Sequence, residues 1–101
     1  MTVKQIQEMV LRADPKAKHY YSTSEGDFTV WQEYMRLPYA GDNIADKGWK
    51  FQIDRYTRQE YDPIAEAIEQ VLNEELVGYT YQVEYDEATG YIRHLFDCEG
   101  I

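Results

Sequence analysis

One cysteine, two histidines, three prolines and six scattered glycines are all this 101-residue chain offers of the residue types that most often build covalent, metal or phosphate sites. The lone Cys98 can close no intramolecular disulfide and supplies no thiolate pair for zinc. His19 and His94 stand far apart, without the HxH or HxxxH spacing that an imidazole metal site uses. Ser22 and Ser24 have no nucleophile-elbow context and read as turn residues. Because the glycines occur singly, no strand is followed by a phosphate-cradling loop. No apolar run approaches the about 20 residues of a membrane-spanning helix. The first residues are amphipathic and lack the apolar block of a signal peptide, so the protein is expected to stay in the compartment where it is made. Basic residues are also scarce: ten Lys and Arg face nineteen Asp and Glu, a formal charge of -9. Such a field repels a phosphate backbone and an anionic membrane alike, which argues against wrapping DNA and against stacking RNA on an aromatic sheet.

What the chain does have is apolar and aromatic residues, 44% and 15% of the total, enough to offset the entropy of ordering one domain spanning residues 1–101. Thr2 stands three residues before Gln5 as a capping box, and Val3, Ile6, Val10 and Ala13 recur at helical spacing, which predicts a helix over 3–13 that stops before Asp14-Pro15. Lys18 to Thr23 reads as a short strand entering a hairpin with the strand Phe28 to Leu37. An eleven-residue loop, Pro38 to Gly48, leads to Trp49–Thr57, where Trp49, Phe51 and Ile53 alternate with Lys50, Gln52 and Asp54 as in a half-buried strand. A second helix starts at Asp62-Pro63, carries an apolar stripe of Ile64, Ile68, Val71, Leu72 and Leu76, and is expected to end through a left-handed Gly78. Tyr79–Tyr85 and Tyr91–Phe96 then form a hairpin around Asp86 to Gly90. The order α-β-β-β-α-β-β predicts an α+β two-layer sandwich, a mostly antiparallel sheet of about five strands with two helices on one face.

Ten tyrosines spread through the strands suit half-buried sheet and also suit a subunit interface, where tyrosine gives large contact area at low entropic cost. Asp42, Asp46 and Asp54 could in principle gather a hard divalent cation, but their spacing does not match an EF-hand loop. A solvated acidic loop is the simpler expectation, and no metal, cofactor or catalysis is expected.

In element order, length and an aromatic strand placed before a long loop, the chain resembles the small tail-completion, or tail-terminator, proteins of long-tailed bacteriophages and prophages. Thr29–Tyr34, the loop Pro38 to Gly48, Trp49–Asp54, the helix from Asp62 and the hairpin with Tyr91–His94 carry the resemblance. It implies a non-catalytic ring, six copies as a rule, that caps the tail tube and meets the head connector. The ring would be assembled in the host bacterial cytoplasm and kept in the virion, with DNA only as passing cargo. Trp31, Tyr34, Pro38, Tyr39, Asp42, Asp46 and Trp49 are the candidate interface residues, with Asp42 and Asp46 expected to face the central passage. The alternative is a small acidic protein-binding module, or an inhibitor that mimics DNA with its carboxylates.

Overall fold

A computed structural model describes residues 1–22, 25–37 and 48–101. Helix α1 (Val3–Ala13) begins with the capping box: the Gln5 N–H donates to Thr2 Oγ1 at 3.1 Å and the Thr2 N–H to Gln5 Oε1 at 2.8 Å. Asp14 ends it in extended conformation ahead of Pro15. Strands β1 (Lys18–His19), β2 (Phe28–Leu37) and β3 (Gly48–Thr57) follow, then helix α2 (Pro63–Glu74) and strands β4 (Gly78–Tyr85) and β5 (Ile92–Gly100). The five strands form one sheet in the order β1-β2-β3-β5-β4, antiparallel except between β1 and β2. The fold is the expected α+β arrangement.

Period-two alternation decides which side chains meet the helices. Trp31, Phe51, Ile53, Phe96 and Cys98 point to one side of the sheet and pack with Ile6, Met9 and Val10 of α1 and Ile68, Val71 and Leu72 of α2. Each large apolar side chain buried this way contributes about 1.5–3 kcal/mol. Next to this core lies a buried charge, Arg55. Its Nε donates to Asp62 Oδ2 at 2.8 Å, and its guanidinium also pairs with Asp14 at 3.6 Å and Asp27 at 3.9 Å. Asp62 caps α2 by accepting from the Ile64 and Ala65 N–H groups, and Asp14 is the C-cap of α1. One arginine on β3 therefore fixes an end of each helix.

Two local expectations are corrected. The segment after α1 makes no hairpin with β2. It runs parallel to it, with Lys18 beside Val30 and His19 beside Trp31. The strand stops at His19 because Tyr20 turns the chain with a left-handed φ of 73°, while the His19 ring stacks on Trp31 at 3.9 Å. Helix α2 also ends earlier than Gly78. The left-handed residue is Leu76, φ 56°, flanked by bonds from Leu76 N–H to the Asn73 carbonyl and from Val77 N–H to the Leu72 carbonyl. Leu76 thus leaves the apolar stripe and is 91% exposed, and Gly78 opens β4. The final hairpin turns as expected through Gly90, whose φ of 76° suits glycine and whose N–H donates to the Asp86 carbonyl.

Candidate functional surface: the helix-free sheet face

Both helices pack on one side of the sheet, so the other side is left without a covering layer of secondary structure among the described residues. It presents Phe28, Val30 and Gln32 from β2, Lys50, Gln52, Asp54 and Tyr56 from β3, and Arg93, Leu95, Asp97 and Glu99 from β5. A β-bulge enriches it further. The β2–β3 register shifts between Glu33 and Met35, so Glu33 pairs with Phe51 and Met35 with Lys50. Tyr34 is the extra residue, and Tyr34 and Met35 both reach this side, about half exposed. The Tyr34 hydroxyl donates to Asp97 Oδ1 at 2.6 Å. That hydrogen bond, with burial and the Asp97 charge adding to it, pushes the phenol up to about 12.

Towards the β4–β5 turn the face becomes aromatic. Phe28 stacks on Tyr56 at 4.7 Å, Tyr91 meets both edge-on, and Arg58 lies 4.2 Å above the Tyr91 ring. Arg93 bridges Asp54 at 3.1 Å and Glu84 at 3.5 Å. A recess of about 410 Å³ opens among Phe28, Tyr56, Glu84, Tyr91 and Arg93. Apolar and aromatic area interleaved with carboxylates is the chemistry of a protein contact surface.

The sequence-derived interface residues divide. Tyr34 lies on the helix-free face. Trp31 is 1% exposed and belongs to the core under the helices, so it supports the face from behind and offers no surface itself. Trp49 packs against the edge of the same core, with the Arg36 guanidinium 5.5 Å from its ring. Pro38, Tyr39, Asp42 and Asp46 lie outside the described residues, as do the expected turn residue Ser24 and the strand end at Thr23. Asp54, the third acid weighed for a cation, is engaged by Arg93 and by the Gln52 side-chain amide. Reasoning from sequence missed Met35, Leu95 and Asp97. Leu95 alternates with Phe96 inside the strand already predicted, and Asp97 could have been found by extending that alternation beyond Phe96 to Gly100.

The groups with reactive potential are placed for packing. Cys98 is buried, its thiol donates to the Phe96 carbonyl, and burial pushes its pKa far above the usual thiol range. His94 lies four residues before it on the same side of β5, a separation of about 13 Å along the strand. His94 Nδ1 shares a 2.6 Å hydrogen bond with the Tyr81 hydroxyl instead. Among the described residues no group of three or more His, Cys, Asp and Glu is disposed to hold a metal ion, and no helix is long and apolar enough to cross a membrane. Compared with known proteins, the chain matches no family model, and no curated protein matches its sequence.

Proposed function

We propose that the protein is a non-catalytic structural subunit that assembles with copies of itself, in the manner of the ring-forming tail-completion proteins that join head and tail in long-tailed bacteriophages. The helix-free sheet face carries this reading. A two-layer sandwich with Tyr34, Met35, Leu95 and the Phe28–Tyr56–Tyr91 cluster on its open side has area that a neighbouring subunit can bury. A ring requires a heterologous contact, so this face meets a different surface of the next copy. Its partners in the particle are the tail tube and the head connector. The net charge of -9 suits a passage through which DNA slides without adhering.

Light scattering on a size-exclusion column, from micromolar to near-millimolar protein and with negative-stain imaging, tests this. At 12.0 kDa per chain, a six-membered ring weighs about 72 kDa. Wild type is expected to rise to a closed species, and Met35→Glu, which adds charge to an already exposed position, to need at least about tenfold more protein to do so, a change of about 1.4 kcal/mol. A monomer at every concentration, with tail-tube protein also present, refutes the proposal.

A further inference from the structure

The sheet has two edges of very different character. Strand β1 is two residues long and is turned away by Tyr20, whereas β4 runs for eight residues and, among the described residues, pairs only with β5. Long edges are normally protected by lysine, proline, a bulge or a covering element. Strand β4 has no lysine or proline, its register with β5 is unbroken, and its one charge is Glu84. Its backbone direction follows from the end of the hairpin. The Asp86 N–H donates to the Tyr91 carbonyl, and antiparallel alternation then turns the N–H and C=O groups of Tyr79, Tyr81, Val83 and Tyr85 away from β5. Their side chains point to the helix side, where α2 meets the first of them: the Tyr79 hydroxyl donates to Asn73 Oδ1 at 3.2 Å, while Tyr81, Val83 and Tyr85 are 43%, 54% and 65% exposed.

We propose that β4 pairs antiparallel with β4 of a second copy of this chain, about a two-fold axis at Gln82. In that register Tyr79 lies opposite the partner's Tyr85, and Tyr81 opposite the partner's Val83. Each such pair exchanges two hydrogen bonds, so every outward N–H and C=O of the four residues is satisfied. A slip of two residues in either direction leaves an end residue unpaired. The charges agree as well, because Glu84 falls beside the partner's Thr80 and away from the partner's Glu84, which matters in a chain of net charge -9. Joining β4 to β1 of another copy would match eight residues against two and leave most of the edge open. The contact is isologous. It merges two five-stranded sheets into one, and it uses a surface separate from the ring-forming face. On its own it closes at a dimer. Combined with a heterologous ring contact it joins two rings.

Gln82→Cys tests the register. Residue 82 sits on the axis at a pair without hydrogen bonds, where Cβ atoms approach within about 4.5–5.5 Å, close to disulfide range, and the native Cys98 is buried. Mild oxidation is expected to convert most of the Gln82→Cys protein to a covalent dimer at least ten times faster than Thr80→Cys, which faces Glu84. Val83→Pro, which removes an outward N–H and spares the β4–β5 ladder, is expected to slow the Gln82→Cys crosslink at least tenfold, with circular dichroism confirming the fold. Equal crosslinking rates for Gln82→Cys and Thr80→Cys overturn the proposal, whether or not Val83→Pro folds. If crosslinking fails while light scattering still shows a ring, the edge pairing falls and the ring stands. If the crosslink forms but no species exceeds two copies, the edge pairing stands and the ring falls.

Discussion

Replacing Arg55 by Met should cost this domain a large share of its stability. Methionine keeps most of the apolar stem and removes only the guanidinium, so the loss measures charge and hydrogen bonding more than volume. Three carboxylates then face one another without a cation, and the Asp62 side chain among them is fully enclosed. Breaking a buried pair from one side costs about 3–5 kcal/mol, because the remaining charge stays desolvated. A domain of this length has about 5–15 kcal/mol in total. At about 4–8 °C per kcal/mol, the melting temperature should fall by about 12–40 °C.

The surface pair Arg12–Glu75 provides the internal comparison. It also links the two helix segments, and at 2.8 Å it is as short as the Arg55–Asp62 contact, but both its side chains are 40% or more exposed. Solvent and salt screen it, so Arg12→Ala should cost at most about 1 kcal/mol. Urea and thermal unfolding followed by circular dichroism measure both variants, and Arg55→Lys, which keeps the charge but loses the planar fork, should fall between them. An Arg55→Met loss below about 1 kcal/mol, or one equal to that of Arg12→Ala, would refute the idea that this arginine locks the helices to the sheet.

Two titrations follow from the same geometry. Burial holds His94 below its ordinary value of about 6.5, with Asp62 opposing and Arg55 adding to the effect. Below that pH the unfolded chain takes up a proton that the folded chain declines, so stability is full above about 6.5 and falls as pH drops from there towards the depressed folded value. Melting temperatures between pH 7.5 and 5.5 should show this slope in wild type and lack it in His94→Gln; equal slopes would contradict the assignment. On the helix-free face, the Tyr34 phenol should ionise near pH 12. The ultraviolet difference titration of wild type against Tyr34→Phe isolates it, and Asp97→Asn should bring that transition down towards the ordinary tyrosine value of about 10.

Much of the fold is written in local signals, and the exceptions have specific causes. Capping boxes and period-two alternation act within a few residues, so α1, α2, β3 and the final hairpin are legible from the sequence. The orientation of β1 is not, because a left-handed Tyr20 and a ring stack on Trp31 override the pattern that suggests a hairpin. Likewise Gly78 is the obvious helix stop, yet the bonds to Asn73 and Leu72 place Leu76 in the left-handed position first. The bulge at Tyr34 matters most for the candidate surface. It transfers Met35 from the helix side, where strict alternation puts it, to the open face, and only pairing with β3 reveals the slip. Arg55 was equally hidden, since nothing in the sequence near β3 shows that three aspartates from other segments converge on it.

Strand β3 shows how one segment can serve both stability and association. Its odd-numbered residues from Phe51 to Thr57 point to the helices and hold the core and the ionic lock, while Lys50, Gln52, Asp54 and Tyr56 point to the open face. Alternation therefore separates the two roles to within one residue along the chain. Substitutions at the odd positions act on folding and cannot report on assembly. Lys50 and Gln52 lie on the helix-free side, across the sheet from the buried apolar cluster, so changes there can alter self-association while leaving the unfolding free energy within the roughly 0.5 kcal/mol expected of surface sites. Paired measurements at Gln52 and Ile53, one residue apart, distinguish a face built for contact from a sheet that merely happens to be uncovered.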